Sequence, residues 1–298
     1  MKESKLKHWL SAARPKTLAA AAVPVIVGGS IAWQDQSFRI DTTSVALFCA
    51  FAIQIGTNFA NDYFDFIKGA DTDERLGFER ATASGLISPQ AMKTATILTM
   101  VIAFLAGLYL VWTGGWIVLI IGILSLLFGI LYTGGPYPLG YNGLGDLFVF
   151  IFFGFVAVMG TYYVNAISWS SLSALASVPV GALCVNILVV NNLRDIEQDK
   201  VANKRTLGVL FGERYLKAEY TAMLVLTYLS LIPVYYMNTE SLWLFLPLLS
   251  LPEAARLNRY VWSHSDKRTL NDTLGETARL MFVFGVLFSA GFILSAHV

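Results

Sequence analysis

The chain has 298 residues, of which 56% are hydrophobic and only 14% are charged, and its formal net charge is +1. Its mean hydropathy is +0.60. A soluble domain carries about 25% charged residues, so this composition excludes an ordinary water-soluble protein and indicates an integral membrane protein. We expect the lipid bilayer as its surroundings, with no nucleic-acid partner and no obligate protein partner.

Apolar runs long enough to cross a bilayer recur along the whole chain. A membrane-spanning helix needs about 20 mostly apolar residues. Nine such runs lie near residues 17–34, 43–61, 94–112, 116–133, 146–164, 172–191, 220–237, 241–256 and 279–296. We therefore predict an all-α membrane protein with nine transmembrane helices, which form a single membrane domain over residues 1–298.

The basic residues predict the orientation of these helices. Of the 21 Lys and Arg residues, all but Arg39 fall in connections that nine spans would place on one side of the bilayer. Because Lys and Arg are enriched in cytoplasmic loops, this distribution predicts a cytoplasmic N-terminus and an external C-terminus.

A polar cluster closes the second apolar run. Asn58, Asn61, Asp62 and Asp65 are spaced three and four residues apart, so on a helix they share one face. An Asp at the centre of a bilayer costs about 2.5–3.5 kcal/mol. These side chains are therefore expected at a helix mouth or in a water-filled cavity.

A second, similar cluster closes the sixth apolar run, with Asn191, Asn192, Asp195 and Asp199 in nearly the same spacing. Each cluster is followed by a basic residue and a threonine, in residues 80–82 and 204–206. The two segments look like copies of one motif on the same side of the membrane, which hints at an internal duplication.

Two facing sets of hard oxygen ligands suit Mg²⁺, which is usually held by one or two carboxylates together with substrate phosphates. We expect the metal to allow a diphosphate to lie between the two acidic clusters. Basic side chains near the clusters are placed to contact its phosphates, and they are Lys68, Arg75, Arg80, Arg194, Lys204 and Arg205. The alternative is that both clusters are solvated loops of mixed charge without a ligand. Two matching clusters on the same face of the membrane argue against this alternative.

At these residues the sequence resembles the UbiA superfamily of intramembrane aromatic prenyltransferases, and within it the branch that prenylates 1,4-dihydroxy-2-naphthoate for menaquinone biosynthesis. The two acidic motifs carry the likeness to the superfamily. The naphthoate branch is favoured by the segment Arg14–Leu18, by the six-residue interval from Asp65 to Asp71, and by the loop from Tyr132 to Asp146.

The resemblance implies nine helices around a central cavity, a cytoplasmic cap, and a place in the inner membrane of a bacterium. It implies transfer of a polyprenyl group from polyprenyl diphosphate to the naphthoate, with loss of the carboxyl group. It also implies Mg²⁺ ligands, which here are Asn61, Asp65, Asp195 and Asp199. Asp62 and Asp71 match further acidic positions of the motif, and Asn58 and Asn192 are expected to contact the diphosphate.

Aromatic side chains near the motifs are candidates to stabilise an allylic cation; the best is Tyr132, and the others are Tyr137, Tyr141, Tyr162 and Tyr163. Asp146 is expected either to orient the acceptor or to cap a helix. The turn Gly134-Gly135-Pro136 stands where the 4-hydroxybenzoate branch often has basic residues, and because it lacks such bulky side chains we expect it to leave room for a bicyclic ring.

Two other functions remain open from the sequence. The first is a related prenyltransferase acting on another acceptor, such as 4-hydroxybenzoate, haem, chlorophyllide or homogentisate. The second is a membrane transporter, which would place polar sites at the middle of the bilayer. The acidic clusters lie at helix ends instead, which favours an enzyme.

Overall fold

The computed structural model describes residues 5–70, 76–77, 80–238 and 240–296. Over these residues the secondary structure is helical, without strands. The helices are α1 Lys5–Ala13, α2 Leu18–Gln34, α3 Ile40–Ile67, α4 Pro89–Gly114, α5 Trp116–Leu131, α6 Gly145–Val149, α7 Ala157–Ala166, α8 Ser171–Val201, α9 Leu207–Phe211, α10 Glu213–Leu229, α11 Leu231–Met237, α12 Leu251–Ser263 and α13 Leu270–Ser295. A π-helical segment, Phe150–Val156, joins α6 to α7, and a 3₁₀ helix, Leu242–Ser250, leads into α12.

Six helical stretches of the described residues are long and apolar enough to cross a membrane, so the chain is a multi-pass membrane protein. They are Ile40–Ile67, Pro89–Gly114, Gly145–Ala166, Ser171–Val201, Glu213–Met237 and Lys267–Ser295. The pair α1 and α2, bent by 54°, would make a seventh if it is counted as one span.

The predicted count of nine spans is therefore not confirmed. The other three apolar runs are helical, but they are shorter or interrupted. α2 has 17 residues and α5 has 16, which at about 1.5 Å per residue is only about 24 Å against a hydrocarbon core of about 30 Å. The run near 241–256 begins as a 3₁₀ helix and continues into α12, which carries Glu253, Arg256 and Arg259.

α8 is the central helix of the bundle. Most of its apolar length is buried, because it packs against α2, α10, α13 and the π-helical segment. Glycines allow one of these approaches: a Cβ at Gly154 would lie 3.0 Å from the Cα of Gly181. Small residues at helix crossings are the usual means of close packing in membranes. α8 therefore positions its acidic end rigidly at the middle of the fold.

α4 and α5 form an outer wall. Many of their large apolar side chains are exposed, as expected for a surface that faces lipid. α5 packs along α3 and α4 and touches α7, where Val118 lies in one cluster with Tyr163. Within the described part of the chain, α5 makes no extensive backbone contact with α6 or with the π-helical segment.

Connections between helices meet at the end of the bundle that carries both acidic motifs. The backbone N–H of Arg205 donates to the carbonyl of Tyr141 at 2.8 Å, and the Asn271 side chain donates to the carbonyl of Leu76 at 2.8 Å. Lys68 donates to the carbonyl of Thr133. These contacts join the loops into a layer over the helix ends that carry the acidic motifs.

Candidate functional site

A cavity of about 440 Å³ lies between α2, α3, α4, α5, α7 and α8, and its polar lining is concentrated near the layer of loops. Both acidic motifs contribute to it. The polar side chains of the motifs and of the loops beside them that line the cavity are Asn58, Asn61, Asp65, Arg80, Tyr132, Thr133, Tyr141, Asn191, Asn192, Asp195, Asp199, Lys204 and Thr206. The remaining wall is mostly apolar, so the cavity combines a charged end with a hydrophobic body.

Asp65 is the point where the two motifs meet. Its carboxylate is almost completely buried and accepts hydrogen bonds from Arg80 Nη2 at 2.8 Å, from Lys204 Nζ at 3.2 Å and from the Tyr141 hydroxyl at 2.6 Å. Arg80 follows the first motif and Lys204 follows the second. The two basic elements that look alike in sequence therefore converge on one carboxylate.

The Asp195 carboxylate is paired with Arg194, its neighbour in sequence. Arg194 donates from Nε at 2.7 Å and from Nη2 at 2.6 Å to the two carboxylate oxygens. The same guanidinium donates to Asn271 and Asn191, each at 2.9 Å. Arg194 is buried and does not line the cavity. The structure therefore places this predicted phosphate ligand where it orients Asp195 instead.

Asp199 lines the cavity one helical turn beyond Asp195 and lies 3.5 Å from the Thr206 hydroxyl. On α3, Asn61 accepts from the Thr133 hydroxyl at 2.7 Å, and both side chains face the cavity. The carboxylates and amides that were predicted as metal ligands on the two motifs therefore share one space.

Asp62 lies outside the cavity lining. Its two oxygens accept the backbone N–H groups of Ala81 and Thr82 at 3.1 and 2.9 Å. This anchors the loop that carries Arg80, so the contacts of Asp62 are structural. Asn58, by contrast, lines the cavity and donates to the carbonyl of Ala13 at 3.0 Å.

Two of the predicted cations, Lys68 and Lys204, lie against the ring of Tyr141. Lys68 Nζ and Lys204 Nζ each sit 4.6 Å from the centre of the Tyr141 ring, a cation–π arrangement. Partial burial lowers the pKa of Lys68, the Lys204 charge acts in the same direction, and the Asp65 carboxylate opposes both. The Arg205 residue is exposed, and its backbone N–H donates to the carbonyl of Tyr141. Asp71 and Arg75 lie outside the described residues.

Tyr132 lines the cavity beside the acidic end, where glycines make room for its ring. A Cβ at Gly145 would lie 2.9 Å from the Tyr132 hydroxyl, and one at Gly140 would lie 3.0 Å from a ring carbon. Tyr141 and Tyr163 also line the cavity. Tyr137 is exposed, and Tyr162 donates to Asp35.

Two interpretations of the loop from 132 to 146 are corrected by the structure. A Cβ at Gly134 would lie 2.6 Å from the ring of Phe64, and the turn is not part of the cavity wall, so that space is filled by an aromatic ring. Asp146 is not the helix cap, because the capping residue of α6 is Leu144. Asp146 is buried just inside that helix, outside the cavity lining, and its Oδ1 has no hydrogen-bond partner among the described residues.

Arg14 lines the cavity but was not assigned a role from sequence. Its backbone is left-handed, with φ of 52°, and Thr17 donates to its carbonyl at 2.9 Å. The Thr17 hydroxyl also accepts from Asn58 at 3.2 Å and from Gln54 at 3.3 Å. In the sequence, the segment Arg14–Leu18 serves only as part of the family resemblance. Nothing in the sequence predicts the left-handed turn that places Arg14 in the cavity wall.

The oxygen-only donor set fits Mg²⁺ in part. Over the residues that the structure describes, no three His, Cys, Asp or Glu side chains are close enough to hold a metal by themselves. Asn61, Asp65, Asp195 and Asp199 line the same cavity. This arrangement suits an ion that takes its remaining ligands from a bound diphosphate and water.

Comparison with known proteins gives the same family from independent relatives. A model of the UbiA prenyltransferase family matches residues 21–286. The chain is 36% identical to 1,4-dihydroxy-2-naphthoate octaprenyltransferase of Escherichia coli (strain K12), over 98% of this chain and 97% of that protein. It is 37% identical to the protein of the same name from Mycobacterium tuberculosis (strain ATCC 25618 / H37Rv), over 94% of each.

Solved structures share the fold. A UbiA homologue from Archaeoglobus fulgidus, bound to GPP and Mg²⁺, has a TM-score of 0.69 at 14% identity and covers 95% of this chain and 99% of its own. The apo form of a UbiA homologue from Aeropyrum pernix K1 has a TM-score of 0.68 at 15% identity, over 93% and 97%. The sequence matches and the shared fold confirm the resemblance: the chain belongs to the UbiA prenyltransferase family.

Proposed function

We propose that the protein transfers a polyprenyl group from polyprenyl diphosphate to 1,4-dihydroxy-2-naphthoate, with loss of the carboxyl group, in menaquinone biosynthesis. The observation that carries this proposal is the similarity, over nearly the whole chain, to naphthoate octaprenyltransferases from several bacteria. The cavity supports it, because it places acidic and basic side chains at one end and an apolar space at the other.

Asn61, Asp65, Asp195 and Asp199 would hold Mg²⁺ together with the diphosphate. When bound, the metal would neutralise charge that develops on the departing diphosphate. Arg80 and Lys204 now pair with Asp65. When a diphosphate enters, these two cations would turn from the carboxylate to the phosphate oxygens, which leaves Asp65 available as a ligand. The free site is therefore neutralised by its own side chains until the substrate arrives.

The bond between the allylic carbon and the diphosphate oxygen breaks, and the electron pair leaves with the diphosphate. The rings of Tyr132 and Tyr141 line the cavity, and an aromatic face stabilises a desolvated cation by about 2 kcal/mol. The electron-rich ring of the acceptor then forms a bond to the allylic carbon. The bond to the carboxylate breaks, its electron pair returns to the ring, and carbon dioxide leaves.

We also propose one membrane domain over residues 1–298, in the inner membrane of a bacterium, with the acidic motifs on the cytoplasmic side. The bias of Lys and Arg toward one set of connections supports this orientation. It agrees with chemistry in which the diphosphate reaches the site from water while the prenyl chain stays in the lipid.

Product analysis tests the proposed function. Purified protein is given octaprenyl diphosphate, Mg²⁺ and either 1,4-dihydroxy-2-naphthoate or 4-hydroxybenzoate. We expect the prenylated, decarboxylated naphthoate, and a preference for the naphthoate of about 10²-fold, which is typical of discrimination by pocket shape. Equal rates on the two acids would overturn the choice of acceptor. Product formation that persists in EDTA would overturn the role of the metal.

A further inference from the structure

Asn271 is a polar side chain at the start of α13 that belongs to neither acidic motif. It follows Leu270, which is fully buried, and Leu274 one helical turn further on lines the cavity. The turn before α13 is fixed by Asp266, whose carboxylate accepts from the backbone N–H of Arg268 at 2.9 Å. Because α13 also packs against α2 and α8, Asn271 lies beside the site on a capped and packed helix.

The Asn271 amide uses both of its N–H groups and its oxygen. The amide nitrogen donates to the carbonyl of Leu76 at 2.8 Å and to the carbonyl of Arg268 at 3.1 Å. The amide oxygen accepts from Arg194 Nη1 at 2.9 Å. Because a carbonyl only accepts and a guanidinium only donates, the opposite orientation of the amide would break all three hydrogen bonds. The network therefore determines which end of the amide faces Arg194.

Through its oxygen, Asn271 acts on a proposed metal ligand by way of Arg194. The same guanidinium donates to the two carboxylate oxygens of Asp195 at 2.7 and 2.6 Å, and the Arg194 side chain is only 1% exposed. A guanidinium is planar, and its N–H groups point in fixed directions. A hydrogen bond at Nη1 therefore also restricts the rotation of the two N–H groups that orient Asp195.

Through its nitrogen, Asn271 holds the connection between α3 and α4 at Leu76, which is 195 residues away in sequence. Leu76 precedes Arg80 in this connection, and the Arg80 guanidinium pairs with Asp65 of the first motif at 2.8 Å. The other end of the same amide contacts the guanidinium that orients Asp195 of the second motif. One side chain on α13 therefore joins a segment that leads to the first motif to a segment of the second.

Resting on the proposed function, we propose that Asn271 is a positioning residue for the site that binds Mg²⁺ and the diphosphate. It does not line the cavity, so it acts through Arg194 and through the backbone at Leu76, and not by contact with the substrate. These contacts hold Asp195 and the α3–α4 connection in the arrangement in which both motifs face one diphosphate. Replacing a residue that holds a metal ligand in place typically changes metal affinity or activity by about 10–100-fold.

Two substitutions and a neighbouring control test this role. Asn271→Leu is similar in shape and removes all three hydrogen bonds, whereas Asn271→Asp keeps an oxygen for Arg194 but cannot donate to Leu76 when it is ionised. Asp272→Asn is the control, because that residue is exposed on the same turn of α13 and takes no part in the three hydrogen bonds. Binding of an unreactive prenyl thiolodiphosphate with Mg²⁺ is measured from the increase in unfolding temperature that it causes. The KM and kcat for prenyl diphosphate are measured separately.

We expect Asn271→Leu to weaken binding of the analogue with Mg²⁺ by about tenfold or more and to raise the KM for prenyl diphosphate. Asn271→Asp should also weaken binding, because it loses the contact with Leu76, and it decides the question alone if Asn271→Leu does not fold. Asp272→Asn should bind as the wild type does. Lower thermal stability with unchanged binding in the Asn271 variants, or an equal loss of binding in the control, would overturn the positioning role. A wild-type protein that does not bind the analogue in Mg²⁺ would instead overturn the proposed function.

Discussion

Replacing Arg194 by alanine separates two roles of this side chain, which are orientation of Asp195 and direct contact with the diphosphate. The Arg194 guanidinium donates four hydrogen bonds, two of them to Asp195, and the two side chains are only 1% and 5% exposed. Removing one partner of a buried ion pair costs about 3–5 kcal/mol, because the other charge stays buried without its partner. We therefore expect Arg194→Ala to lower the thermal stability of the protein far more than a substitution at an exposed position does.

The assay combines thermal unfolding in detergent with the KM for octaprenyl diphosphate. Arg205→Ala is the matched control, because that side chain is exposed in the same segment and surface substitutions stay within about 0.5 kcal/mol. Arg194→Lys keeps the charge but loses the paired geometry, so it should lie between the two. An Arg194→Ala protein that melts like wild type and shows only a raised KM would refute the positioning role and restore direct contact with the diphosphate.

Three further predictions follow from the site and the topology. Activity should fall by several orders of magnitude, with membrane insertion intact, when asparagine replaces any of the proposed carboxylate ligands Asp65, Asp195 and Asp199; substantial activity in two of the three variants would contradict the assignment. Gly145→Ala should lower kcat by about tenfold, because its Cβ meets the Tyr132 hydroxyl at 2.9 Å. Gly122→Ala is its control, since nothing lies within 4 Å there, and equal losses in both variants would argue against crowding of Tyr132. Reporter fusions at residues 85, 140, 203 and 266 should read cytoplasmic and a fusion at residue 38 external; opposite readings at 85 and 203 would exclude a shared face for the two motifs.

The periodicity of the acidic motifs predicted much of the site. Positions 61 and 65 on α3, and 191, 195 and 199 on α8, are one turn apart, and all of them line the cavity. The same periodicity also explains a deviation. Asp62 is about 100° around the helix from Asn61, and the structure turns it toward the loop at Ala81. Asp62 therefore does not share the helical face that brings Asn61 and Asp65 into the cavity wall.

Contacts between distant segments could not be predicted from spacing. Arg80 and Lys204 both reach Asp65, although one lies in a loop and the other is 139 residues away. Phe64 fills the space at Gly134, which the sequence alone leaves open. Nine apolar runs are visible, but hydropathy does not report that the helices α2 and α5 have only 17 and 16 residues, since contacts with neighbouring helices decide where such segments begin and end.

The packing of α13 has a consequence for biogenesis. α13 lies against both α2 and α8, so helices from the beginning and the middle of the chain depend on the one made last among those described. Between the end of α8 and the end of α13, about 94 residues are synthesised, which takes roughly 5–20 s at the usual rate of elongation. During this interval the surfaces of α2 and α8 that α13 will cover have only lipid, or the insertion machinery, as neighbours. Premature termination before α13 should therefore yield an inserted but open bundle, which is a natural substrate for membrane quality control.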